Sequence, residues 1–85
     1  MAIETPLETQ LEARKESFTR ETRNIREKMG RLGDEARQEL TEELGRAEAA
    51  WQRAIRFLHE QPSLARSNWE EAEQRLADIK RRMTL

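Results

Sequence analysis

Apolar positions along the chain follow a helical period and nowhere alternate with a period of two. One seam runs Leu7, Leu11, Lys15, Phe18, Thr22, Ile25, Met29 and Leu32. After Leu11 its steps alternate between four and three, the average of 3.5 that marks a coiled coil, with Lys15 and Thr22 as polar interruptions. The seam continues through Ala36, Leu40, Leu44, Ala47, Trp51, Ile55 and Leu58 with longer steps. This drift toward an eleven-residue repeat straightens a supercoil. The face also widens there, as Ala50, Ala54 and Phe57 join it, and a wide face suits two neighbouring helices. A last helix carries Trp69, Ala72, Leu76, Ile79 and Met83.

Start and stop signals bound these elements. Thr5-Pro6-Leu7-Glu8 has the form of a capping box with proline at the first helical position. Pro62 ends the middle helix near Glu60-Gln61. Ser67-Asn68-Trp69-Glu70 forms a second capping box, with Ser63 as a competing cap one turn earlier. The reading is a single helical domain over 1–85, with helix over about 5–60 (or two helices, with a break near 30–34), a turn over about 61–66 and helix over about 67–83.

The segment Gly30-Arg31-Leu32-Gly33-Asp34 divides two topologies. Gly33 as a helix terminator and Asp34 as the next cap would give a tight turn and a three-helix bundle. The seam nevertheless keeps its phase across the segment, which favours one long helix with a shorter return helix. That hairpin places Ala54 near Trp69, Trp51 near Ala72 and Ala47 near Leu76. It leaves an N-terminal stripe for a second, antiparallel chain to cover. The fold class expected is therefore all-α: an antiparallel coiled-coil-like hairpin, dimeric, with the three-helix bundle turning at Gly30–Asp34 as the alternative. The interface residues would be Leu11, Lys15, Phe18, Thr22, Ile25, Met29 and Leu32, with Phe57 at the edge of the wide face.

Composition supports self-association. Only 35% of the 85 residues are hydrophobic and 39% are charged. A core this thin supplies little apolar burial against the entropy of ordering the chain. Glu→Arg pairs four apart (Glu16–Arg20, Glu27–Arg31, Glu42–Arg46, Glu71–Arg75) and Asp78–Arg82 each favour the helix by a few tenths of a kcal/mol.

Candidate chemistry is sparse. There is no Cys, so thiol nucleophiles, disulfides and Cys-based metal sites are excluded. The one His, His59, has no second His and no Glu three residues before it, and reads as a cation near a helix end. Glu35, Glu39 and Glu43 share a face and read as solvated surface. No glycine-rich phosphate loop is present. No catalytic residue, metal site, cofactor or small-molecule substrate is expected, and the chain reads as not an enzyme. Arg20, Arg23, Arg26 and Arg31 lie along one side of the first helix, an anion-facing stripe if Glu16 and Glu27 do not neutralise it. A net charge of -1 disfavours a dedicated nucleic-acid binder. The N-terminus has no leader-like segment and no apolar run spans a membrane, so a cytoplasmic location is expected. The functional expectation is a self-associating coiled-coil module, acting as adaptor, scaffold or regulatory subunit toward a helical partner. The alternatives are an amphipathic binder of lipid or granule surfaces and weak nucleic-acid binding through the arginine stripe. In composition the chain is similar to small bacterial coiled-coil hairpin proteins with Glu/Arg/Ala-rich helices, a likeness that carries no motif.

Overall fold

A computed structural model describes residues 6–83. Three α-helices follow one another: α1 (Leu7–Met29), α2 (Asp34–Phe57) and α3 (Pro62–Arg82). No strand occurs among the described residues. The all-α reading holds, and of the two topologies the chain adopts the one that turns at Gly30–Asp34.

The continuous helix over 5–60 is therefore corrected. Gly30 is still helical (φ -60°, ψ -17°), and Arg31 and Leu32 donate their N–H groups to the carbonyls of Lys28 and Met29. Gly33 then turns extended (φ -63°, ψ 158°), and Asp34 opens α2 as an acidic residue in its first turn. What the turn gains is burial. Leu11, Phe18, Thr22, Ile25 and Met29 of α1 lie in the chain's own core. The stripe assigned to a partner chain is covered by α2 and α3. Phase continuity failed as a guide because it holds equally for a helix that carries on and for one that folds back onto the same seam.

Ion pairs fix the relative directions. Arg14 meets Glu73 and Lys80 meets Glu21, both pairs separated by 59 residues, so α1 and α3 run parallel. Across α2 and α3, Arg53 meets Asn68 and Glu71, Arg75 meets Glu43, and Arg82 meets Glu39. These pairs descend on one helix as they ascend on the other. The two helices are antiparallel, in a register within a few residues of that expected from matching Ala47, Trp51 and Ala54 to Leu76, Ala72 and Trp69.

The helices are unequally spaced. Along α2 and α3 the backbones approach closely, whereas α1 stands farther from both. Side-chain size accounts for this. Ala47, Ala50 and Ala54 of α2 and Ala65 and Ala72 of α3 are fully buried. The α1 side instead brings Leu11, Phe18, Ile25 and Met29 into the cluster with Leu40, Leu44, Trp51, Leu76 and Ile79. Small residues let helix axes approach, and large ones hold them apart.

α3 starts at Pro62, a turn before the Ser67 cap. Proline suits the first helical position because its missing N–H needs no partner there. The added turn buries Ala65, and Asn68 is free to accept from Arg53 while donating to the Leu64 carbonyl. The Thr5 cap lies outside the described residues.

Candidate functional site

The reversal at Gly33 builds a groove between α1 and α2. Its floor is the ring pair Phe18–Trp51, stacked with centroids 4.5 Å apart and 9° between planes. Both rings are buried, and both line a groove of about 390 Å³. Ile55, one turn beyond Trp51 on α2, lies at the margin and is 40% exposed, unusual for a large apolar side chain in this molecule. The rim is cationic. Lys15, Arg23 and Arg26 stand along it, with Thr19 and Gln52 between.

The three cations are not equivalent. Arg26 forms a two-pronged pair with Glu48 across the groove, at 3.0 Å for one nitrogen and 2.5 Å for the other. The hydrogen bonds to Glu48 raise its guanidinium further above its ordinary range, against a smaller opposing effect of burial. Among the described residues no carboxylate pairs with Lys15 or Arg23. They present net positive charge beside apolar surface.

Each residue singled out from sequence finds a definite place. Lys15 is exposed at the rim, not on the buried seam. Position 14 points toward the hairpin instead, and Arg14 lies half-buried between α1 and α3. There it donates to Glu73 at 2.7 Å and Glu21 at 3.3 Å. Burial works against its charge, but these two carboxylates outweigh it and raise its pKa. Thr22 is buried with its hydroxyl donated to the Thr19 carbonyl, so a polar seam residue is satisfied within its own helix. Leu32 and Phe57 are half-buried, and Leu32 packs on the core cluster from the turn.

The arginine stripe splits. Arg20 pairs with Glu16 and Arg26 with Glu48, while Arg23 and Arg31 meet no anion among the described residues. The expected Glu27–Arg31 pair is not formed, because Arg31 lies past the end of α1. Arg46 takes Glu43 rather than Glu42, and Arg82 crosses to Glu39 rather than Asp78. Glu39 and Glu43 thus serve in pairs linking α2 to α3. Among the described residues no group of three His, Cys, Asp or Glu is arranged to hold a metal ion. His59 is exposed in the turn after α2. No helix among the described residues is long and apolar enough to cross a membrane.

On the opposite side, α1 and α3 carry a second, more polar groove with Gln10, Trp69 and Glu73 in its wall. Glu73 uses one carboxylate oxygen for Arg14. Its other oxygen and the Trp69 indole N–H are buried atoms without a hydrogen-bond partner among the described residues.

The groove with the aromatic floor was not legible in the sequence. Lys15 and Ile55 are forty residues apart and meet only because the chain folds back. The available signal was that Lys15 and Ile55 both sit on the seam, where one is charged and the other too large to leave exposed without reason. No known protein family, curated protein or solved structure gives a significant match to the chain.

Proposed function

We propose that the chain is a non-catalytic, self-associating helical interaction module, an adaptor, scaffold or regulatory subunit, whose α1–α2 groove receives an acidic amphipathic helix. The observation that carries this reading is that Lys15 and Arg23, which no carboxylate among the described residues pairs with, line one groove with the exposed Ile55 and the rings of Phe18 and Trp51. A partner helix with apolar residues three and four apart would cover the apolar strip, and Asp or Glu flanking that strip would meet the cations. Opposite charge at the rim favours encounter and orientation, while the apolar contact supplies most of the affinity.

The test is a titration with a synthetic amphipathic helix carrying leucines on one face and glutamates beside them. Amide shifts are followed by NMR. The expected shifts centre on Lys15, Thr19, Arg23 and Ile55, and are lost in the Lys15→Glu/Arg23→Glu variant. They are also lost when the peptide's glutamates are replaced by lysines. Shifts that survive both charge reversals, or that map to another face, overturn the reading.

A further inference from the structure

We propose that the Gly30–Asp34 turn is a hinge, and that a second copy of this chain binds by exchanging α1: each α1 docks on the α2–α3 hairpin of the other copy. The inference rests on the self-associating part of the function proposed above and is independent of the groove's partner.

The turn begins as a continuation of α1. Gly30 has helical angles, and the N–H groups of Arg31 and Leu32 still point back along α1. Gly33 departs sharply, with an extended ψ of 158°. Neither glycine has a positive φ, and a Cβ placed on Gly33 would meet nothing within 4 Å. Nothing steric therefore holds Gly33 in its extended state. Rotation of this hinge into the helical range would join α1 to α2.

The seam then decides what such a helix would do. Met29, Leu32, Ala36 and Leu40 remain in phase across the junction. A joined helix presents one uninterrupted stripe. In the turned form Met29 and Leu40 are buried, while Ala36, a seam position, is exposed and Leu32 is only half-covered. An antiparallel pair of joined helices would cross just after Gly33 and bring Leu32 of each copy against the Ala36 region of the other. Every other α1 contact re-forms unchanged between copies, including Phe18 on Trp51 and Arg14 on Glu73. α1 is also the helix that stands farther from the other two, so it is the one that can leave and return. Exchange of an identical element between copies costs little beyond the hinge itself, and closes as a twofold dimer.

Two substitutions move the hinge in opposite directions. Gly33→Ala trades a residue poor in helix interiors for the best one, and removes the better of the two at a helix cap. With one hinge per copy, the dimer is expected to tighten by about 30-fold or more. Asp34→Pro acts the other way. Proline is favoured at the first position of α2, and the residue before it must be extended, as Gly33 is. Inside a continuous helix the same proline clashes with the preceding turn, so the exchanged dimer is weakened by more than about 1,000-fold.

The mass of the full chain and its two variants is measured by light scattering over a dilution series, with circular dichroism confirming that each is helical. Fluorophores at Thr19→Cys and Gln52→Cys, both beside the α1–α2 groove, report the hinge in the presence of excess unlabelled chain. Joined into one helix, those positions lie about 50 Å apart at 1.5 Å per residue. The expected result is a dimer of twice 10.1 kDa, strengthened by Gly33→Ala and absent in Asp34→Pro, with energy transfer falling as the dimer forms. A dimer that keeps high transfer, or that forms equally in Asp34→Pro, overturns the exchange while leaving self-association standing. A helical Gly33→Ala protein that remains monomeric at its highest soluble concentration overturns both. Neither outcome touches the acidic-helix reading, which the peptide titration decides separately.

Discussion

At the scale of single residues, the interruptions of the apolar seam resolve into different physical situations. Thr22 is buried at no hydrogen-bonding cost, because its hydroxyl returns to the Thr19 carbonyl of the same helix. Lys15 escapes burial because the buried face of α1 drifts by one position, and Arg14 turns inward to a pair of carboxylates. Gly45 is different again. It sits in the interior of α2, exposed, with nothing within 4 Å of where a Cβ would stand. Its only effect is to leave the unfolded chain more freedom than alanine would. Gly45→Ala is therefore expected to stabilise the protein by about 0.5–1 kcal/mol. Thermal or urea unfolding checks this, and a loss of stability would mean that a neighbour needs the space.

At the scale of helices, the decisive feature is the unequal spacing set by residue size. Ala47, Ala50, Ala54 and Ala72 are fully buried in the close-packed pair α2–α3. Close backbone approach tolerates no extra methylenes, since packed interiors have little free volume. Ala50→Leu is expected to force the pair apart and cost about 1–3 kcal/mol, against less than about 0.5 kcal/mol for Ala49→Leu on the exposed side of the same helix. Equal effects in a denaturant titration would refute the interface. This pairing was largely legible in the sequence, because an antiparallel register that sets small residues against large ones can be read from composition along two stripes. The reversal at Gly33 was not. The same stripe serves an unbroken helix covered by a partner and a broken one covered by itself, and only the burial of Phe18, Ile25 and Met29 by α2 and α3 distinguishes them. The groove depends on that reversal, so Lys15 and Ile55 could be noticed separately but not brought together. The start of α3 was missed for a local reason. The Ser67 box and its competitor Ser63 both place the start after Pro62, although proline at the first helical position both ends one helix and begins the next.

At the scale of the whole molecule, the protein divides into a tightly packed hairpin and a third helix fastened to it by a few large side chains and ion pairs. Of the pairs that fasten α1, Arg26–Glu48 and Arg14–Glu73 join groups that are each a third or more exposed, where such pairs contribute little. What holds α1 is therefore mainly the burial of Leu11, Phe18, Ile25 and Met29. Removing α1 would uncover those four and one side of Trp51, Leu44 and Leu76, yet leave the alanine contacts of α2 and α3 intact. Opening of α1 should thus need less free energy than unfolding of the hairpin. Native-state hydrogen exchange at rising, sub-denaturing urea tests this directly. The amides of α1 are expected to merge into one opening event of lower free energy and smaller urea dependence than that of the most protected amides in α2 and α3. A single common free energy for all three helices would mean that the bundle is one cooperative unit. In that case α1 could not detach without global unfolding, and exchange between copies would proceed at the rate of unfolding. If the α1 event is separate, the hinge at Gly33 can turn while the hairpin stays folded, and the same opening sets the rate at which a second copy is captured.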